Sequence, residues 1–264
     1  MPQNERRVAL VTGSGRGIGA VIAAYLGTAG YDVALHYWHG ESRARAIAAT
    51  IRAHGGEASC FYADLSELDT PSQLVAEVLD HFGRLDAVVN NAATVVGRAF
   101  QDVTAEDLDH AYHLNYRAPF VISQAAAAWM IGHGVQGAMV QITSVHQERV
   151  TDWDSVYGSM KAALARATES MAYELAPYGI RVNAVAPGRI LTPEQAGLAD
   201  PKREALVAEG IPLGVSGQAD DVARAVGWLL SPAAHYVTGI TLRVDGGLNL
   251  PMHRALIGQQ LEFI

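Results

Sequence analysis

The sequence predicts an α/β fold, a doubly wound parallel sheet with helices on both faces. Three observations carry this expectation. Short runs rich in Val, Ile, Leu and Ala alternate with longer stretches of helical periodicity; the strand candidates are apolar throughout; and no repeat, low-complexity tract or charged linker interrupts the rhythm over 264 residues. A strand that is apolar on both sides must be covered on both sides, and strands separated by helices then form a parallel sheet between two helical layers. We expect one domain over residues 1–264.

The elements follow in chain order. Arg7 to Thr12 reads RVALVT, a strand closed by glycines, and 17–29 is helical. Tyr31 to Tyr37 is the second strand, followed by a helix over 42–54; Ala58 to Ala63 is the third, followed by 67–82. Leu85 to Asn90 leads to a long helix over 104–131, and Ala138 to Thr143 to one over 155–176. Arg181 to Val185, a helix over 218–230 and a last strand, Thr241 to Val244, complete the pattern. Between them 189–214 clusters Pro, Gly and charge without strand periodicity, and an insertion of this kind late in an α/β chain is expected to be a substrate loop.

Composition narrows the function classes. A formal charge of −8 with no basic patch argues against nucleic acid and anionic membranes as partners. The apolar run in MPQNERRVALVTG is too short for a signal peptide or a span. The single cysteine, Cys60, excludes an intrachain disulfide, and the ten histidines show no metal-ligand spacing. We expect a reduced, cytoplasmic protein without a metal. Charged residues are only 17%, against about 25% in ordinary soluble domains, which points to surface buried between subunits.

The first strand runs into Thr12-Gly-Ser-Gly-Arg-Gly-Ile-Gly19. Glycines let the backbone approach a pyrophosphate, and the following helix offers oriented N–H groups and positive potential. An acid at the end of the second strand would hold a ribose 2′-hydroxyl. Here that strand ends His36-Tyr-Trp-His39, and Asp32 falls at its opposite end. Arg16 and His39 could instead meet a 2′-phosphate, so NADP is expected, with NAD possible.

Only two lysines, Lys161 and Lys202, stand among nineteen basic side chains. Tyr157 and Lys161 are spaced i, i+4 and share a helix face, and Ser144 follows a strand, where functional groups gather in a parallel sheet. A compact ammonium beside a phenol biases its ionisation in a way that a planar guanidinium does not.

Thr12 to Gly19, Asp64, Asn90-Asn-Ala-Ala93, Asn115, Ser144, Tyr157 with Lys161, and Pro187-Gly188 together resemble the short-chain dehydrogenase/reductase family, from Arg7 to about Gly247. The resemblance implies a Rossmann-type fold and interconversion of a carbonyl and a secondary alcohol with a nicotinamide cofactor. It implies a catalytic set of Asn115, Ser144, Tyr157 and Lys161. Tyr157 would exchange a proton with the substrate oxygen, Ser144 would orient that oxygen, Lys161 would bind the nicotinamide ribose and lower the Tyr157 pKa, and Asn115 would support a water relay to Lys161. Gly13, Ser14, Arg16, Gly17, Ile18 and Gly19 would hold the phosphates. Asp64 would hold the adenine, with Tyr37, His39 and Leu65 as further cofactor contacts, and Asn90 would brace its strand end beside the cofactor. Asn91 and Ala92 would add contacts, and Pro187, Gly188, Ile190 and Thr192 would contact the nicotinamide. Ala93 departs from the glycine usual in the family. The family's habit, with the small faces of the two long helices, implies a homotetramer.

The substrate is expected to be a small molecule, a moderately polar ketone or its alcohol. His146, in the loop after Ser144, and Gln195 are candidate substrate contacts, with Gln147, Arg149 and Glu194 as further polar groups nearby. Ser144-Val-His146, 187–193, 211–214 and 237–242 are similar to bacterial glucose dehydrogenases of the family, so a sugar or polyol is the alternative, although Thr94-Val-Val-Gly97 lacks the carboxylate such enzymes place near the sugar. A dinucleotide-sensing protein without turnover is the rival from another class. The intact Asn115, Ser144, Tyr157 and Lys161 set argues against it, since a sensor needs only the cofactor end.

Overall fold

The computed structural model describes residues 6–196 and 200–250. Seven parallel strands form the central sheet: β1 (Val8–Val11), β2 (Asp32–Tyr37), β3 (Ala58–Tyr62), β4 (Ala87–Asn90), β5 (Ala138–Ile142), β6 (Arg181–Pro187) and, after two short strands described below, β9 (Thr241–Val244). Their order is β3-β2-β1-β4-β5-β6-β9. The chain first winds outward from β1 through β2 to β3, then returns to lay β4 on the other side of β1. Val8 pairs with Asp32 on one side and Ala9 with Ala87 on the other. The strand order therefore reverses between β1 and β4, the place where open α/β sheets bind ligands beyond the carboxyl ends of their strands.

The continuous apolar reading of the strands is explained by a core on each face. In β1, Ala9 and Val11 enter one core, which holds Ile22, Ala23 and Leu26 of α1 (Gly17–Thr28), Ile51 of α2 (Glu41–Ala53) and Val222 and Val226 of α9 (Ala219–Leu230). Val8 and Leu10 enter the other, with Leu74 and Val78 of α3 (Thr70–Phe82), Ile122 and Met130 of α5 (Ala118–Gly132) and Ala172 of α6 (Tyr157–Leu175). Alternate side chains of one strand thus stabilise two layers.

Two expectations need correction. The helix expected over 104–131 is divided. Thr104 and Asp107 form a capping box that starts α4 (Ala105–Tyr112), and a five-residue π-helical turn, His113–Arg117, precedes α5. Such a turn leaves the helix running onward, so the apolar periodicity on either side hides it. The substrate loop is also not structureless. It contains β7 (Ile190–Leu191), α7 (Pro193–Ala196) and α8 (Pro201–Glu209), and β7 pairs with β8 (Gly217–Gln218). Its charges tie it together, Arg189 pairing with Glu204 and Glu204 accepting from Ser216 Oγ at 3.2 Å.

No helix among the described residues is long and apolar enough to cross a membrane, and no group of three or more potential metal ligands clusters among them.

Candidate active site

A cleft of about 1050 Å³ opens at the carboxyl ends of the strands where the order reverses. One wall is the turn between β1 and α1. Thr12 Oγ1 accepts from the N–H groups of Asn91 and Ala92 at 2.9 and 3.0 Å, and Asn91 Nδ2 donates to Thr12 O at 2.9 Å, locking the ends of β1 and β4 together. His36, at the end of β2, completes the web. Its Nδ1 accepts from Gly13 N–H at 3.0 Å, so Nε2 carries the proton and donates to Ala63 O at 3.1 Å. Burial pushes the His36 pKa down to about 4, and the ring stays neutral across the physiological range.

Two glycines set how closely this turn meets the loop after β2. A Cβ at Gly15 would fall 2.1 Å from His39 O, and one at Gly40 would fall 2.2 Å from Gly15 O, so the two backbones pass with no room for a side chain on either. Gly17 N–H, in the first turn of α1, donates to Glu194 Oε1 at 3.3 Å, and the same carboxylate pairs with Arg43 at 3.0 Å. Burial works to raise the Glu194 pKa. Hydrogen bonds from its own backbone, Gly17 and Thr192, with the Arg43 charge, outweigh it and hold the carboxyl below the usual range. Expected among the substrate's polar partners, Glu194 lies instead at the phosphate end of the cleft, where an anion meets the helix N-terminus.

Ser144, Tyr157 and Lys161 line the same cleft. Ser144 ends its loop segment buried, accepting from His146 N–H at 3.2 Å. Tyr157 begins α6, one helical turn before Lys161. The lysine is buried, donates from Nζ to Ile142 O at 2.8 Å and lies 5.7 Å from the centre of the Tyr157 ring. Burial pushes its pKa down to about 8. The expectation that Lys161 lowers the Tyr157 pKa is not what the structure shows. Burial raises the phenol above its ordinary value, Asp154 adds to the rise and a hydrogen bond with Ser144 opposes it. The Lys161 ammonium is turned to the β5 carbonyl.

Of the residues expected at the cofactor, Gly13, Arg16, Gly17, Ile18, His39, Asp64, Leu65, Asn91, Ala92, Pro187, Gly188, Ile190 and Thr192 line the cleft. Four expected site residues stand behind its wall. Ser14 is buried and donates to His36 O at 3.0 Å. Gly19 packs under Asn91, whose Nδ2 would lie 2.3 Å from a Cβ there. Tyr37 packs edge-on against Tyr62. Asn115, fully buried in the π-helical turn, pairs with the backbone of Thr94 in both directions at 2.9 Å. Its side chain is thus committed to Thr94, which leaves its backbone for any relay to Lys161. Asn90 is buried and donates to Ser123 Oγ at 3.0 Å. Gln195 reaches the cleft but turns Oε1 back to Thr192 N–H at 3.3 Å, while His146 faces Tyr157 edge-on, ring centres 5.8 Å apart.

Further residues that the sequence does not mark as functional also stand at the site. Trp38 lines the cleft and stacks on Tyr62 at 5.3 Å. His110, on α4, lines it as well, and Asp154 stands 3.0 Å from His146. Only Asp154 left a signal, a carboxylate three residues ahead of Tyr157.

Comparison with known proteins agrees with this geometry. The family model described as enoyl-(acyl carrier protein) reductase matches residues 13–249. Glucose 1-dehydrogenase 2 of Bacillus subtilis is 34% identical over 92% of this chain and 95% of that protein. The crystal structure of acetoin dehydrogenase from Enterobacter cloacae superposes with a TM-score of 0.89 at 35% identity, covering 96% of this chain and 99% of the other. A blue fluorescent protein from a metagenomic library, in complex with NADPH, superposes with a TM-score of 0.85 at 34% identity, covering 93% and 99%.

Proposed function

The chain belongs to the short-chain dehydrogenase/reductase family, and from that membership we propose that it reduces a small, moderately polar ketone to a secondary alcohol with NADPH. As a member it is an NAD(P)-dependent oxidoreductase. The observation that carries the reading is the meeting of Ser144, Tyr157 and Lys161 in one cleft with the β1–α1 turn.

The turn fits a dinucleotide. A Cβ at Gly13 would lie 3.0 Å from Ala92 Cα, so the backbone itself forms the wall, and the first turn of α1 already receives a carboxylate from Glu194. When bound, the dihydronicotinamide supplies a hydride to the carbonyl carbon. Tyr157 then donates its phenolic proton to the oxygen on which negative charge grows, and Ser144 holds that oxygen in line. Burial of the phenol suits this direction, because a raised pKa keeps the proton in place at neutral pH until the alkoxide needs it. Lys161, fixed on Ile142 O, would hold the nicotinamide ribose with its remaining donors, and Asn115 holds the 91–94 loop through Thr94. Alcohol oxidation, which needs the phenolate, is expected to rise at alkaline pH.

The absence of an acid in His36-Tyr-Trp-His39, where β2 ends, and the exposure of Arg16 at the cleft, with no ion pair among the described residues, support NADP(H) over NAD(H). A homotetramer in the cytoplasm completes the proposal. A ladder of exposed Tyr112, half-buried Tyr116 and exposed Phe120, with neighbouring ring centres 5.8 and 6.0 Å apart, supports a subunit contact along α4 and α5. Light scattering tests the assembly, and a monomer at micromolar concentration overturns it.

Tyr157→Phe tests the mechanism. NADPH binding is expected to persist while ketone reduction falls roughly 10²-fold or more. Near-normal turnover by the Phe variant would sink it.

A further inference from the structure

We propose that Asp154 and His146 form a positioning pair that selects a hydroxyl next to the reacting carbonyl, so that the substrates are hydroxyketones and, in reverse, vicinal diols. The inference rests on the carbonyl-reductase reading of the same cleft and names its substrate class.

The pair is built by a strained turn. Asp154 is buried, and its side chain keeps only 5% of its surface. Trp153, just before it, holds φ at 61° with its indole exposed, a left-handed conformation that is strained for a non-glycine residue. The turn carries the Asp154 carboxylate inward against the first turn of α6. There a Cβ on Gly158 would stand 2.8 Å from Asp154 Oδ2 and 2.8 Å from His146 O, so glycine beside Tyr157 lets three segments close on one another. Backbone strain of this kind persists where the surrounding structure enforces it, and it concentrates at functional sites.

His146 extends from the turn after Ser144. Its Nδ1 approaches Asp154 Oδ1 to 3.0 Å, off the line of its N–H, and has no other partner. A carboxylate accepts only, so it keeps the proton on Nδ1 and leaves Nε2 with its lone pair. Nε2 has no hydrogen-bond partner among the described residues, and the ring lines the cleft edge-on to Tyr157. A bare acceptor beside the proton donor of the reaction fits a substrate O–H close to the carbonyl. A methyl group in its place leaves the acceptor unpaired, and such a loss discriminates more strongly than the methyl's own transfer energy favours it.

A plain structural reading, in which Asp154 only complements the start of α6, makes a different forecast. It would affect every substrate alike. The test is therefore a ratio, kcat/KM for hydroxyacetone over kcat/KM for butanone, which match in heavy-atom count and differ by hydroxyl against methyl. The intrinsic reactivity of the two ketones cancels when variants are compared with the parent, and so does any unfolded fraction, because both are read on one preparation. His146→Leu is expected to lower the ratio about tenfold, and Asp154→Asn to lower it roughly threefold or more. If Asp154→Asn yields no soluble protein, the half-exposed His146 carries the test alone. An unchanged ratio in His146→Leu overturns the pair's selective role, and equal losses on both ketones in Asp154→Asn overturn positioning by the carboxylate. A parent that binds NADPH yet reduces no carbonyl in a wider panel fails at the earlier step and overturns the reductase reading itself.

Discussion

The two halves of the cleft are held by different means. Around the β1–α1 turn, contacts run from backbone to backbone or through buried side chains fixed to backbone: Thr12 to Asn91 and Ala92, and His36 to Gly13 and Ala63. On the substrate side they run between side chains, most of them on loops: His146 to Asp154, and Glu148 to Asn249 and to Arg243 at the end of β9. The difference separates what the sheet imposes from what the loops choose. Strand ends can present a phosphate site in only a few ways, whereas loop side chains can be exchanged without disturbing the layers beneath.

Lys161 stands between the halves, and replacing it should break the comparison most visibly. Its folded pKa of about 8 lies below the ordinary 10.5, so the unfolded chain holds an extra proton between those values and stability rises as pH increases through that window. Below pH 8 the buried ammonium costs on the order of 3 kcal/mol. Lys161→Met is expected to lose roughly 10²-fold or more in turnover and yet to melt higher at pH 7, with the alkaline rise in stability gone. Steady-state assays and thermal melts on one preparation check both. A lower melting temperature would mean that the bond to Ile142 outweighs the buried charge.

His36 tests the rigid half alone. Its folded pKa of about 4 lies below the unfolded 6.5, so the contribution is complete above pH 6.5 and is lost as pH falls towards 4. The loss is on the order of 3 kcal/mol. His36→Gln should lower the neutral plateau but flatten that acid slope in urea midpoints measured across the window. A slope that survives the substitution would place the acid sensitivity elsewhere.

Smaller effects sharpen the contrast within the cofactor half. Arg16→Ala is expected to weaken NADP(H) about tenfold, as for one charge-assisted contact, while leaving NAD(H) nearly unchanged in fluorescence titration. Equal loss for both would show that Arg16 meets the shared pyrophosphate. Glu194→Gln, which removes an anion from the first turn of α1, should tighten either cofactor by a few-fold at most, since the carboxylate is partly solvated. Weaker binding in that variant would show the Arg43 pair to be part of the site.

How far these features are legible in the sequence follows the same division. The seven main strands, the glycine turn and the Ser144, Tyr157 and Lys161 trio are readable because each depends on local pattern, apolar runs, spacing or position after a strand. The division of 104–131 is not legible in the apolar pattern, because a π-helical turn at Asn115 shifts the helical phase while the helix runs on. Asn115 itself shows through the family motif, but its pairing with Thr94 joins residues twenty-one positions apart and has no local signature. Asp154 shows in the sequence only as a carboxylate three residues ahead of Tyr157. An acid in a loop is ordinarily solvated, and the left-handed turn at Trp153 accompanies the burial of this one. The direction of the Tyr157 shift was missed because spacing shows a neighbouring cation but not where that cation points.

The scarcity of lysine makes this chain unusual material for amine chemistry. Of its two side-chain amines, Lys202 lies exposed on α8 and Lys161 is buried in the cleft wall. At mildly alkaline pH the depressed pKa of Lys161 leaves more of it as free amine than an ordinary lysine would show, yet the reagent must first reach it through the cleft. Acylation of Lys202 is therefore a handle for attaching the protein to a support, while acylation of Lys161 records how open the cleft is, a chemical footprint written on a single atom.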